Sequence, residues 1–207
     1  MNQFYRKYGK RLLDIIGSLL GLILLFPLNI IIGAAVYIDL GSPVIFQQER
    51  PGKHGKLFTL YKFRSMTNAT DAEGKLLPNK KRLTKLGQFI RATSIDELPE
   101  LWNILIGEMS FVGPRPLLKE YLPLYNKEQQ KRHNVRPGLT GYAQVNSKMT
   151  RKWHDKFAYD IAYVNQMSLR MDLKIIIATF KALKLRYQAK YKKSLYSKAL
   201  QPFKGEA

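Results

Sequence analysis

The stretch that decides the fold is IIGSLLGLILLFPLNIIIGAAVYI, residues 15–38, which carries no charged side chain. At the helical rise its roughly 24 residues would reach about 36 Å as one straight rod, enough for a bilayer core of about 30 Å. Pro27 stands near its middle. Proline lacks the amide hydrogen and clashes with the preceding turn, so it bends or breaks a helix. The expected product is two arms of about 11–12 residues, each roughly 17 Å long and reaching about mid-bilayer. Arg6, Lys7, Lys10 and Arg11 precede the segment, and Arg50, Lys53, Lys56, Lys62 and Arg64 follow it, against Asp39 and Glu49. Lys and Arg are retained on the cytoplasmic face, so two basic flanks predict a re-entrant segment with both ends on that side. Ser18 and Asn29 are placed to bond backbone groups freed near the bend. A kinked single-pass helix is the alternative. A cleaved signal peptide fits poorly, because the apolar run exceeds the usual h-region of about 7–15 residues.

Outside this stretch the chain is strongly basic. Its 207 residues hold 35 Lys+Arg against 15 Asp+Glu, a formal charge of +20. Such a charge calls for an acidic partner: nucleic acid, an anionic membrane surface or a phosphorylated small molecule. The apolar segment favours the last two. With no cysteine there is no disulfide framework, thiol nucleophile or Cys-bound metal. His54, His133 and His154 lie far apart without helical metal-ligand spacing. A hydrophobic content of 45% rules out whole-chain disorder.

Two short runs, Val44–Gln48 and Lys56–Phe63, flank the turn-rich ERPGKHG and predict a β-hairpin. Apolar spacing of three and four predicts helices over Lys85–Ala92, Asp96–Ile106, Leu117–Arg132, Trp153–Gln166 and Asp172–Tyr191. The last places Leu173, Ile176, Ile177 and Phe180 on one side, ahead of Lys190, Lys192, Lys193, Lys198 and Lys204. That pattern suits an interfacial helix with a polybasic tail, and equally a core helix with a solvated end. The fold class expected is helix-dominated α+β: a monotopic membrane protein with a re-entrant broken helix, a small hairpin and amphipathic interfacial helices. Residues 1–40 form the anchor and 41–207 a membrane-associated catalytic domain in this division.

Chemistry is concentrated in RATSIDELP, residues 91–99, where adjacent carboxylates stand in a basic protein. Ser94-x-x-Glu97 matches a capping box, and acidic residues favour helix starts. Pro99 argues for a later start, with Asp96 at the N-cap, because proline is tolerated only in the first turn. Neighbouring side chains on a helix diverge by about 100°, so Asp96 and Glu97 suit two different jobs rather than one shared proton. Capping and catalysis both remain open on pattern alone.

Several long blocks carry a resemblance. They are FQQERPGKHGKLFTLYKFRSM (46–66), LGQFIRATSIDELPELWNILIGEMSFVGPRP (86–116), VRPGLTGYAQVN (135–146) and YDIAYVNQMSLRMDLKI (159–175), together with the basic start and Pro-broken segment. The chain resembles the bacterial sugar transferase family, the small monotopic phosphoglycosyl transferases that start lipid-linked glycan assembly. The resemblance implies that Asp96 attacks the sugar-bearing β-phosphorus of a UDP-sugar. UMP leaves, and polyprenyl phosphate then attacks the sugar-phosphoryl-aspartate to form polyprenyl-diphosphate-sugar. It implies a place on the cytoplasmic face of the bacterial inner membrane, with anionic lipids as partners, and leaves room for a homo-oligomer.

Each role has a physical case. A carboxylate can be a covalent nucleophile, and phosphoryl transfer otherwise depends on positioning and charge neutralisation. Mg²⁺ is the cofactor that carboxylates and substrate phosphates suit, which makes Glu97, and by similarity to the family Asp172, the metal-side candidates. Asp172 also reads as an N-cap before Leu173. Arg91 and Arg115 are the phosphate-binding candidates, since a guanidinium holds phosphate oxygens in a planar fork. Arg115 lies between Pro114 and Pro116, which suits a stiff loop or a plain surface turn. Lys62 and Arg136 are further candidates, with Arg64 beside them. Glu100 and Ser147 depart from the family pattern, where Gln and Gly are the usual residues. Two other classes compete: a non-catalytic polybasic membrane-surface adaptor and a nucleic-acid-binding module. The apolar segment and the lack of a binding motif count against nucleic acid.

Overall fold

The computed structural model describes residues 2–146, 152–190 and 202–205. The apolar stretch forms two helices, α1 (Lys10–Leu24) and α2 (Phe26–Leu40), which meet at Leu25 with a bend of 62°. A wider π-turn, Tyr5–Gly9, leads into α1. Among the described residues no single helix is long and apolar enough to cross a membrane; the bent pair meets that requirement only together. The break falls just before the proline. Leu25 leaves the helical region (φ −94°, ψ 5°), and Pro27 occupies the first turn of α2, where a missing N–H is tolerated. Asn29 donates its side-chain amide to the Leu25 carbonyl at 2.9 Å, a second bond to a carbonyl that already accepts the Asn29 backbone amide at 2.8 Å, so the expected capture of a freed group is not what this contact does. Ser18 instead donates to the Asp14 carbonyl at 2.6 Å, inside α1 and away from the break.

Each arm has 15 residues, longer than expected, because regular helix continues into the polar flanks. The charges there are taken up by the protein. Lys10 pairs with Asp172 at 2.5 Å, and Asp14 accepts from Ser110 Oγ at 3.0 Å and the Phe111 amide at 3.1 Å. Arg11 donates to the Ile104 and Leu105 carbonyls, both at 2.6 Å. Arg6 donates to the Val164 carbonyl at 2.7 Å.

The hairpin pairs β1 (Ile45–Pro51) with β2 (Leu57–Phe63), antiparallel, with Ile45 opposite Phe63 and Pro51 opposite Leu57. Glu49, Arg50 and Pro51 therefore belong to the strand, and the turn shrinks to Gly52–Lys56, where His54 and Gly55 take positive φ. Pro51 is tolerated because it ends the strand. Phe58 and Leu60 of β2 pack with Leu101 and Ile104 and with Leu22 and Leu25; Phe63 packs with Ile32, Val36 and Ile90. One strand thus joins both arms to the rest of the protein.

Helix α3 (Lys85–Thr93) starts at a Thr84 cap and ends at Ser94, whose left-handed conformation (φ 59°) turns the chain. A single 3-10 turn, Ile95–Glu97, follows, and α4 (Glu100–Ile106) starts after Pro99. The expected helix over Asp96–Ile106 is therefore split, and neither Ser94 nor Asp96 caps it through its side chain. Short strands β3 (Ser110–Val112) and β4 (Gly138–Thr140) pair in parallel, a contact between segments too distant and too short to announce themselves in sequence. The expected helix over Leu117–Arg132 is broken into the turns Lys119–Leu124, Lys127–Gln130 and Lys131–Asn134; Pro123 falls inside the first and an Asn126–Gln129 capping box starts the second. Helix α5 (Trp153–Gln166) has the expected bounds, and α6 (Leu169–Lys190) starts three residues before Asp172. On α6 Leu173, Ile177 and Phe180 are 51%, 57% and 69% exposed, whereas Ile175 is buried and Ile176 half-buried. The Lys190 side chain, Lys192, Lys193 and Lys198 lie outside the described residues, as does Ser147.

Helix α3 seats closely on the strand-to-helix connection. A Cβ at Gly87 would lie 1.9 Å from the Ser65 carbonyl oxygen, which is backbone and so has little freedom to yield. Gly→Ala in an open helix gains about 1 kcal/mol; overpacking costs about 1–3 kcal/mol and wins here. Gly87→Ala is expected to lower the thermal midpoint by several degrees, measured in the membrane-mimetic that supports the wild type. A midpoint at or above wild type would show that α3 moves freely off residue 65.

Candidate active site

The turn Ile95–Glu97 projects its carboxylates into a cleft of about 2610 Å³, larger than the roughly 300–1,000 Å³ of a single small-molecule pocket. Strand β2 delivers Lys62 to the same place, because the pleat sends Phe63 to the core and the preceding residue to the other side. Lys62 Nζ donates to Glu97 Oε1 at 2.7 Å and lies 2.9 Å from Glu100 Oε1. Arg115 Nη2 donates to the same Glu97 oxygen at 2.9 Å. Arg91 lines the cleft and is exposed. Asp96 makes no ion pair among the described residues, and its carboxylate is bonded by its own backbone amide. The neighbouring carboxylates therefore have different circumstances: Glu97 is clamped by two cations, and no cation among the described residues clamps Asp96.

Charge follows this geometry. Burial alone would raise Glu97, but Arg115 and Lys62 outweigh it and carry its pKa down to about 2. Burial, and then the charge of Glu97, raise Asp96 above the ordinary carboxylate value, against the pull of Lys62 and Arg91. Glu100 is 3% exposed and shares Lys62 with Glu97; burial pushes its pKa up to about 7. The guanidinium of Arg115 is held more firmly protonated by Glu97.

Two sequence candidates stand elsewhere. Asp172 is buried, accepts from Tyr5, Lys10 and Tyr163, and does not line the cleft. Its oxygens accept from the π-turn, α1 and α5, and so stand apart from Glu97, with which the sequence reading grouped it. Nor is it an N-cap, since α6 begins at Leu169. Arg136 donates through Nε to the Gly107 carbonyl at 2.7 Å, closing the end of α4 rather than the cleft. Arg64 is turned to the Pro43 carbonyl at 2.8 Å. Conversely, sequence reasoning missed Arg132 and Asp160, a buried pair at 2.7 Å whose guanidinium also donates to the Arg115 carbonyl at 2.8 Å. Nothing local in sequence links residues 28 apart. Glu100 was visible only as a departure from the family pattern.

No group of three or more His, Asp or Glu converges into a cation cage among the described residues. Mg²⁺ does not require one, since it usually binds through one or two carboxylates plus substrate phosphates. Both contacts to Glu97 fall on Oε1. Its Oε2 is the oxygen left to fit such an ion.

Glu100 makes the site testable by pH. Folded, it keeps its proton to about pH 7; unfolded, it releases it near its ordinary value of 4.5. Between these limits the folded state binds more protons, so wild-type stability falls as pH rises through the window. Glu100→Gln removes that term. The variant is expected to gain stability relative to wild type as pH goes from about 5 to 8, with no gain below about 4.5, read from denaturation midpoints. A difference constant with pH would mean that Glu100 is ionised in the folded protein.

Residues 5–186 match the family model for bacterial sugar transferases. The chain is 51% identical over 170 residues to the uncharacterized sugar transferase EpsL of Bacillus subtilis, covering 82% of this chain and 84% of that protein. It is 42% identical over 180 residues to the UDP-glucose:undecaprenyl-phosphate glucose-1-phosphate transferase of Klebsiella pneumoniae, covering 82% of this chain and 39% of that one. Against the undecaprenyl-phosphate galactose phosphotransferase of Salmonella typhimurium identity is 37% over 192 residues, covering 84% and 40%. The chain thus spans most of the first relative and about two fifths of the other two. With the family match running from the π-turn into α6, through every residue of the carboxylate and cation site, the chain belongs to the bacterial sugar transferase family.

Proposed function

We propose that the chain transfers a sugar-1-phosphate from a UDP-sugar to polyprenyl phosphate, releasing UMP and starting assembly of a lipid-linked glycan. The observation that carries this reading is the contrast between Asp96, which makes no ion pair among the described residues, and the clamped Glu97 beside it. An Asp96 oxygen attacks the β-phosphorus of the donor. The bond from that phosphorus to the oxygen bridging to the α-phosphate breaks, and UMP leaves with the electron pair. A phosphate oxygen of the polyprenyl phosphate then attacks the same phosphorus, and the Asp96 carboxylate departs unchanged. Splitting the transfer into two displacements is the use of a carboxylate nucleophile. Arg91 and Arg115 hold the phosphate oxygens, and Lys62 with Arg115 keeps Glu97 charged and in place. Glu97, through the oxygen that Lys62 and Arg115 leave free, would hold Mg²⁺ together with the donor phosphates, and the ion would supply charge neutralisation.

The same reading places α1 and α2 in one leaflet as a re-entrant hairpin. The 62° bend and the basic flanks support it, as do the apolar residues that α6 leaves exposed. Anionic lipids at the cytoplasmic face of the bacterial inner membrane meet the basic surface. The Klebsiella pneumoniae and Salmonella typhimurium relatives are named for glucose-1-phosphate and galactose phosphate transfer to undecaprenyl phosphate, and these two sugars head the donor screen.

Labelled UMP is expected to exchange into the UDP-sugar with Mg²⁺ and without any lipid, because the first displacement is complete by itself. Asp96→Asn is expected to abolish exchange and turnover by several powers of ten. Retention of more than about a tenth of the wild-type rate would exclude Asp96 as nucleophile. The attacking form is the ionised one, so activity is expected to fall at acid pH with a midpoint above the ordinary aspartate value. Arg91→Gln is expected to move that midpoint further up, because the Arg91 charge favours ionised Asp96. A midpoint unmoved in Arg91→Gln would separate the acid limb from Asp96.

A further inference from the structure

Strand β1 brings to the cleft a cation that the site described above does not use. In the hairpin register Phe46 stands opposite Lys62, Gln48 opposite Leu60 and Arg50 opposite Phe58, so Gln48, Arg50 and Lys62 share one face of the sheet. All three line the cleft. Arg50 Nη2 donates to Gln48 Oε1 at 2.6 Å, while its Nε is buried and has no hydrogen-bond partner. Arg50 makes no ion pair among the described residues. Carboxylates close to it are engaged elsewhere: Glu49 with Lys119, Glu100 with Lys62, and Glu97 with Lys62 and Arg115. A guanidinium has five N–H donors and no acceptor, and a charge withdrawn from water without a partner is costly. What satisfies such a group is an anion, and the cleft is where one can reach it.

The surrounding charges narrow which anion that is. Burial, and then the positive charge of Arg115, lower the pKa of Arg50, and Glu120 and Glu100 partly offset them. Arg115 is itself in the field of Glu97, Glu100 and Asp96, whereas the charges that chiefly act on Asp96 are those of Glu97, Lys62 and Arg91. Arg115 thus stands between Asp96 and Arg50, and Arg91 belongs to the side of the nucleophile. In a displacement at phosphorus the attacking and leaving oxygens lie roughly in line, on opposite sides of the reacting atom. A cation on the Asp96 side suits the phosphate under attack; one beyond Arg115 suits the group that departs. We propose that Arg50, with the Gln48 amide and Arg115, binds the α-phosphate of the UDP-sugar and takes up the charge that gathers there as UMP leaves. The proposal rests on the phosphosugar-transfer reading above and adds the residues of the leaving-group side. A lipid phosphate monoester carries the same oxygens, but the first displacement needs no lipid and so reads the nucleotide alone.

The test uses the full chain in lipid nanodiscs free of polyprenyl phosphate, with UMP as the probe. In the Asp96→Asn background, Arg50→Met is expected to weaken UMP binding at least tenfold by titration calorimetry. Arg50→Lys keeps the charge but not the planar fork, and is expected to weaken it less. With Asp96 intact, Arg50→Met is expected to slow lipid-independent UMP exchange about 100-fold, the order of loss when one donor to a developing charge is removed. Because the Arg50 charge has no carboxylate partner among the described residues, the nucleotide-free Arg50→Met protein is expected to melt no lower than wild type. A residue that merely held the hairpin together would lower that midpoint, so a fall of several degrees alongside lost UMP binding overturns the proposal. UMP affinity within twofold of the Asp96→Asn parent, or a parent that binds no UMP, overturns it too. Exchange at the wild-type rate with loss only of turnover to added polyprenyl phosphate gives the site to the acceptor's phosphate and overturns the nucleotide assignment. Weakened UMP binding in Arg50→Met together with undiminished exchange in Asp96→Asn retains Arg50 and removes the covalent role of Asp96.

Discussion

The interaction on which the rest of this structure depends is the buried pair of Lys10 and Asp172, 2.5 Å apart and 162 residues apart in sequence. Tyr5 shares one Asp172 oxygen at 2.5 Å; Tyr163 takes the other at 2.8 Å while also donating to the Val112 carbonyl at 3.0 Å. Four elements meet there: the start of the anchor, β3, α5 and α6. A buried charge is tolerable only when paired, and removing one partner of such a pair costs about 3–5 kcal/mol. The knot therefore ties α1 to the body through a buried charge pair as well as through apolar contact. With α1 held against α4, and Arg11 bonded to the last carbonyls of α4, the turn carrying Asp96 and Glu97 takes a set position relative to the anchor.

Three carboxylates within five residues have three fates because their surroundings differ. Glu97 faces two cations and stays ionised; Glu100 is buried behind a lysine it must share, which raises its pKa; Asp96 has no ion-pair partner among the described residues. A nucleophile requires the last condition, because a carboxylate committed to an ion pair must break it before attacking. The Arg132–Asp160 pair works one step back, bonding the carbonyl of Arg115 between its two prolines and so limiting where that guanidinium can point. Phosphoryl transfer is governed by positioning, and this layered support is what a positioned site consists of.

How much could be read beforehand depended on the range of the interaction involved. The interruption of the apolar stretch, the hairpin, α3 and α5 follow from turn residues, alternation and apolar periodicity, all of which act within a few residues. The helix expected over residues 117–132 failed because periodicity is a weaker signal than an internal proline and a local capping box. The break moved from Pro27 to Leu25 because a proline is best housed inside the next helix's first turn, so the kink falls in the residues before it.

Sequence by itself determined the local chemistry: an uncharged segment interrupted by proline, adjacent carboxylates between Arg91 and Pro99, and an arginine held between two prolines. Only the tertiary structure decided which charges gather at the cleft and which are held elsewhere. Asp172 and Arg136 resemble site residues in sequence but are consumed by Lys10 and by the Gly107 carbonyl, whereas Glu100 looks like a surface helix residue and is buried against Lys62. The physical reason is that a charged side chain takes its role from the partner it meets on burial, and these partners come from β2, α1 and the end of α4, brought together by the fold and not by neighbourhood along the chain.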